Sequence, residues 1–298
     1  MPAIAFATLI FGTTFVVIRA VLVSAGIWTL LADRFLIAAA VGIAVLAVMR
    51  RVPTPDEWGW GLVLGVIAAA MQATNTIGLE TTTASNSAFI CAGYIALVPF
   101  VGWLAMRLIP TPIEIAAAGA ALVGTALLAL RWPLDHIVPG DLWTVGTAVT
   151  AALSIVATKM AVRTGRPLVL VVIQSAVVAA ACAAGAALSG EGFTLHGAGT
   201  VTGTLYLGTV ASLGAFALAA YGQRYVSPSA ASVVFGLEPL VATVLGAMAL
   251  GERLGPLQAV GGSLMLAAGW AVASYDRRAR RDTGVAGKGL DGAEQAVA

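Results

Sequence analysis

The sequence predicts an all-α integral membrane protein of ten transmembrane helices, built as two inverted five-helix repeats. Three observations carry that expectation. Residues 58–79, 81–106, 167–190, 192–223 and 254–275 contain no Asp, Glu, Lys or Arg, and each run exceeds the roughly 18 apolar residues that mark a membrane-helix candidate. Basic residues concentrate on alternate connections. The second half of the chain echoes the first at a nearly constant offset. Composition agrees: of 298 residues, 59% are hydrophobic and 10% charged, with a mean hydropathy of +0.95. Soluble domains carry about 25% charged residues. A spanning barrel does not fit, because its strands need only about 10 alternating residues and these runs do not alternate.

The first span is expected over 3–23. It lacks the basic start of a cleaved signal, and Arg19 interrupts its apolar run. Span 2 (29–49) stops at the Arg-Arg-Val-Pro-Thr-Pro of 50–55. Span 3 (58–79) and span 4 (84–106) follow, and Ile-Pro-Thr-Pro at 109–112 opens span 5 (112–130). Arg-Trp-Pro at 131–133 closes the first repeat, residues 1–131. The second repeat, residues 140–275, holds spans at 141–162, 167–188, 200–222, 228–250 and 256–275. Its breaks are Ser-Gly-Glu-Gly at 189–192, Ser-Pro-Ser at 227–229 and Gly-Pro at 255–256, all turn chemistry. Residues 276–298 are polar and Gly-rich, which predicts a disordered cytoplasmic tail.

Orientation follows from the cations. With the N-terminus inside, Arg50, Arg51, Arg107, Lys159, Arg163, Arg166, Arg224, Arg277, Arg278, Arg280, Arg281 and Lys288 lie on or near the cytoplasmic side. Arg19, Arg34, Arg131 and Arg253 lie toward the outside. The bias puts both termini inside a plasma (inner) membrane. It also accounts for the net charge of +2 without invoking nucleic acid. Cys91 and Cys182 sit in apolar spans and read as small buried hydrophobes, not as a disulfide or metal site.

Spans 3–5 match spans 8–10 at +144: Gly78 with Gly222, Ser85 with Ser229, Gly102 with Gly246, Pro112 with Pro256, Leu122 with Leu266. Spans 1–2 match spans 6–7 at +140, pairing Arg19 with Lys159 and Arg34 with Gln174. Five spans per repeat turn the second repeat upside down. That arrangement builds many secondary transporters, with the solute site between the halves near the midplane.

Several stretches resemble the drug/metabolite transporter superfamily in its ten-span EamA branch. They are Phe11-Gly12-Thr13-Thr14-Phe15, Asp33-Arg34-Phe35, Thr82 through Ile90, Tyr206-Leu207-Gly208, Tyr225 through Ser232, Glu238-Pro239-Leu240 and Gly251-Glu252-Arg253-Leu254. The resemblance covers residues 3–275. It implies two EamA repeats, cytoplasmic termini, a central cavity and movement of small organic solutes, amino acids among them. Span 1 differs from many relatives, with Phe-Gly-Thr-Thr in place of Trp-Gly-Ser-Asn.

Glu238 lies about ten residues into span 9, near mid-membrane at roughly 1.5 Å per residue. An acid there costs about 2.5–3.5 kcal/mol on insertion scales, so it should face a cavity or a partner. It either binds a substrate amine or a proton, or braces a kink at Pro239. Arg34 is a candidate for the outer mouth, with pairing or snorkelling as the alternative. Gln72 and Asn75 share one face of span 3. Thr13 and Thr14 in span 1, and Ser154 and Thr158 in span 6, are further polar positions. They either line a wetted cavity or make interhelical bonds of about 0.6 kcal/mol each. Tyr94 and Tyr221 offer a ring face and a hydroxyl, or simply packing. Gly61 with Gly65, and Ala247 with Gly251, read as close-approach faces.

His136 and His196 fall in connections, and no HExxH, CxxC, GxSxG or P-loop is present. No cofactor or metal is therefore expected, and the protein should not be an enzyme. The expected function is a secondary transporter, an exporter of small metabolites such as amino acids, working by alternating access. The expected partners are a small-molecule substrate, membrane lipids and a coupling proton or ion. An uncoupled facilitator is the alternative, and an intramembrane lipid-modifying enzyme a more remote one.

Overall fold

The computed structural model describes residues 1–22, 26–79, 87, 90–129, 138–192, 197–250 and 255–282. The Ser85–Asn86 stretch, Arg131, His136, His196, Gly251–Leu254 and residues 283–298 lie outside the described residues. Among the described residues the chain is helical, with no strand. The helices are α1 (Pro2–Val21), α2 (Ile27–Val48), α3 (Pro55–Leu79), α4 (Tyr94–Met106), α5 (Pro112–Ala129), α6 (Pro139–Ala161) and α7 (Pro167–Ser189). They continue as α8 (Ala198–Gln223), α9 (Pro228–Phe235), α10 (Glu238–Leu250) and α11 (Pro256–Asp282). Among the described residues, seven apolar stretches are long enough to cross a membrane, and three shorter apolar helices accompany them: Pro2–Thr14, Tyr94–Met106 and Pro112–Leu128.

Helix starts are built by one local device. Proline occupies the first turn of α1, α3, α5, α6, α7, α9 and α11, where its missing N–H costs nothing and its φ suits the helix. Three residues after the cap, a side chain reaches back to the cap's backbone N–H. Glu57 accepts from Thr54 N at 2.9 Å, Glu114 from Thr111 N at 2.8 Å, Asp141 from Val138 N at 3.0 Å and Gln258 from Gly255 N at 2.9 Å. This is half of a capping box or more, satisfying donors the helix itself cannot. At the far end of α7, Gly190 takes φ +72°, and Glu191 N reaches Ala186 O at 3.0 Å.

The two halves of the chain interlock. α2 packs on α7, α3 on α6 and α7, α5 on α11, α1 on α8 and α10, and α4 on α6 and α9. Each of these pairs joins a helix before residue 130 to one after residue 138. Small residues set the approach. A Cβ on Gly65 would stand 2.5 Å from Val177 Cβ, and one on Gly61 2.6 Å from Ile173 Cβ, so both positions are close-packing faces. A Cβ on Gly12 would stand 2.5 Å from Val241 Cβ, bringing α1 against α10. Lys159 of α6 donates to the carbonyls of Gln223 and Arg224 at 2.8 and 2.9 Å, where the helix dipole of α8 is negative. Arg224 returns the favour to Val162 O and Gly165 O at 3.0 and 2.8 Å.

Four elements differ from the sequence expectation, the first being α4, which starts at Tyr94 after a break at Ala92–Gly93 where span 4 was expected to run over 84–106. α11 runs on to Asp282, so residues 276–282 are helical where a disordered tail was expected. Its arginine-rich end suits the negative pole of a helix. α8 is not uniform, because residues Leu207–Ala215 form wide π-type turns. The ninth span is two helices, α9 and α10, rather than one helix bent at Pro239.

Candidate substrate site

Two interruptions locate the site. Helical continuity stops at Ala92–Gly93, just before α4, and at Gly236–Leu237, just before α10. The breaks are 144 residues apart, the offset read from the sequence. At the second, Leu237 N donates to Val234 O at 3.1 Å, a tightened turn. Pro239 falls in the first turn of α10, where proline is tolerated, so the bend expected at that residue moves two residues upstream. Neither α9 with 8 residues nor α10 with 13 could cross a membrane alone, since roughly 20 are needed.

Glu238 is the first residue of α10, and Tyr94 the first of α4. Glu238 is partly buried, and among the described residues it forms no ion pair with Arg34. Arg34 was expected at an outer mouth. The structure turns it inward: it is 7% exposed, and its Nε donates to Ser212 Oγ at 2.5 Å. Ser212 is fully buried within the π-type segment of α8. Such wide turns redirect side chains and recur at functional sites. Gly208, in the same segment, allows the approach, because a Cβ there would stand 2.9 Å from Arg34 O and 2.6 Å from Ile37 Cγ2.

An aromatic wall adjoins these charges. Phe11 meets Phe216 edge-on at 5.1 Å and Phe235 at 6.4 Å, and Phe35 meets Phe216 at 6.3 Å. The Arg34 guanidinium lies 5.2 Å from the Phe35 ring centre, within cation–π range. Thr13 Oγ1 shares a 2.6 Å hydrogen bond with the Tyr206 hydroxyl, linking α1 to α8. Thr14 is buried and donates to Phe11 O of its own helix at 2.6 Å.

The structure therefore places Tyr94 and Glu238 at matching helix breaks and turns Arg34 inward. Gln72 and Asn75 on α3, and Ser154 and Thr158 on α6, are half-buried. Among the described residues no hydrogen bond joins these four to Glu238. Tyr221 is 45% exposed and pairs with Tyr225, whose hydroxyl donates to it at 3.5 Å with ring centres 5.4 Å apart. Ser212, Phe216 and Phe235 were not singled out from sequence. Nothing local marks them, since each matters only through helices brought together by folding.

The broken helices, inward-facing charges and apolar spans define a polytopic helical membrane protein with a polar centre. A family model confirms the class: the EamA-like transporter family matches residues 1–130 and 138–273, and the chain belongs to that family. The chain is similar to a protein described as an uncharacterized transporter of Archaeoglobus fulgidus, 26% identical over 267 residues, covering 89% of this chain and 82% of that one. A solved crystal structure shares the fold, with a TM-score of 0.77 at 19% identity over 92% of this chain and 96% of its own.

Proposed function

We propose that this EamA-family protein is a secondary transporter that exports small amphipathic metabolites such as amino acids, by alternating access of two inverted repeats. The observation that carries the reading is the placement of Tyr94 and Glu238 at helix breaks 144 residues apart, in a chain that also buries Arg34 against a phenylalanine wall. A carboxylate and a guanidinium in one site match the ammonium and carboxylate of a zwitterion, and the rings suit an apolar side chain. Tyr94 and Glu238 are the first residues of α4 and α10, so each break carries the positive end of a helix dipole. Support for an inverted repeat comes from the breaks at matching positions and from repeat-related partners packing on each other, α2 on α7 and α5 on α11. Both termini lie in the cytoplasm in this reading, as the basic residues require.

Proteoliposome counterflow against a panel of amino acids tests the proposal. Accumulation of a labelled aromatic or aliphatic amino acid, driven by unlabelled solute inside, is the expected result. No counterflow with any zwitterion would reject the substrate class.

A further inference from the structure

Three carboxylates tie the two halves together through helix starts, and one of them is built differently. Glu57, 1% exposed, caps α3 and also accepts from Arg166, the residue that caps α7, through N, Nε and Nη2 at 2.8, 2.8 and 2.7 Å. Glu191, beyond the end of α7, accepts from Thr29 N in the first turn of α2 at 2.9 Å. A Cβ on Gly26 would collide with that carboxylate. These two bonds hold α2, α3 and α7 at their ends, and Gly42, Gly61 and Gly65 close the same three helices along their length. Glu114 caps α5 and accepts from the hydroxyl of Ser227, the residue that caps α9.

The surroundings of Glu114 are unlike those of the other two. Unlike at Glu57, no guanidinium joins the bond among the described residues. A cavity of about 330 Å³ lies beside it, lined by Pro99, Gly102, Thr111, Ser227, Val272 and Tyr275 among others. All eight residues of α9 are buried, so it moves as a packed unit, and the cavity at its start is space into which that unit can shift. α9 is eight residues long and ends at the Gly236–Leu237 break that precedes Glu238. It can swing on that break without dragging α10 with it.

We propose that the Glu114–Ser227 bond is the releasable latch of the solute path, while Glu57–Arg166 and Glu191–Thr29 staple a frame that stays closed throughout the cycle. The inference rests on the transporter reading. When the latch opens, the cavity extends along α9 toward the break and the charged centre. When it closes, the α5 and α9 starts seal that end.

The test uses the full-length protein with Cys91 and Cys182 replaced by Ala. One variant carries Glu114→Cys with Ser227→Cys, joined by a short bis-methanethiosulfonate. The control carries Gly42→Cys with Val172→Cys, where the Cβ positions lie 3.4 Å apart, near the roughly 3.5–4.5 Å of a disulfide. Linking 114 to 227 should lower counterflow at least about tenfold, with recovery on reduction, because gating motions limit turnover. Linking 42 to 172 should leave counterflow unchanged. Hydrogen exchange supplies a readout that needs no transport. Glu114→Gln should speed exchange of residues 228–237 while leaving 167–189 protected. A linked 114–227 protein that transports at the unlinked rate, or unchanged exchange over 228–237, overturns the latch. Absent counterflow in every variant, with exchange responding as described, would instead reject the transport reading and leave α9 as the mobile element.

Discussion

The block of α2, α3 and α7 and the pair formed by α4 with α9–α10 are made from equally apolar sequence, yet they fold in opposite ways. The block is continuous helix, with glycines allowing near contact and charged caps at the ends. The pair is interrupted at Ala92–Gly93 and Gly236–Leu237, and its ionisable and aromatic groups gather at the interruptions. The contrast teaches that a membrane protein can keep its backbone hydrogen bonds in one region and surrender a few in another, where buried polar groups accompany the breaks. On the proposed function, stability belongs to the first region and solute recognition to the second. Substitutions in the block should therefore act on folded protein, and substitutions at the breaks on transport.

The largest effect on stability should come from Glu57→Ala. It removes the cap of α3, the acceptor for Arg166 N and an ion pair with Nη2 at 2.7 Å. The expected loss is about 3 kcal/mol, seen as a lower thermal midpoint and less monodisperse protein after extraction. Wild-type thermal stability in this variant would remove the block's special status. Gly65→Val should follow, at about 1–3 kcal/mol from overpacking, because its Cβ would already press on Val177. Tyr206→Phe breaks the bond to Thr13 and should cost only about 0.6 kcal/mol in the same melting assay, while blurring the distinction if it also slows transport. Tyr221→Phe should be the quietest, within about 0.5 kcal/mol and at normal transport, since among the described residues its hydroxyl meets Tyr225 alone, at 3.5 Å. A large transport defect there would move the site boundary outward.

Much of this contrast was legible before folding, and the remainder was not for definite reasons. Charge-free runs and Pro-containing turns announced the helices, and Thr-Pro-x-Glu at 54–57 and 111–114 is a readable capping signal. Glu238 stood out because an acid in an apolar run has few harmless explanations. The breaks themselves were hidden. Ala92, Gly93, Gly236 and Leu237 are ordinary residues in spanning helices, and Pro99 and Pro239 mark trouble downstream of where the chain gives way. Arg34 could not be oriented from sequence, because its partner Ser212 lies 178 residues on and is aimed by a π-type segment with no simple composition. The reach of Glu191 to α2 depends likewise on tertiary placement.

The central claim is that the carboxylate at the α9–α10 break recognises solute. Initial transport rate per folded molecule for Glu238→Gln tests it most directly, because Gln keeps size and hydrogen bonding while removing charge. A fall of about 10- to 100-fold, equal to roughly 1.4–2.8 kcal/mol, with an unchanged melting temperature, is the expected result. A near-normal rate for Gln, with Glu238→Leu reducing folded protein instead, would contradict it and leave Glu238 as a brace for the broken helix.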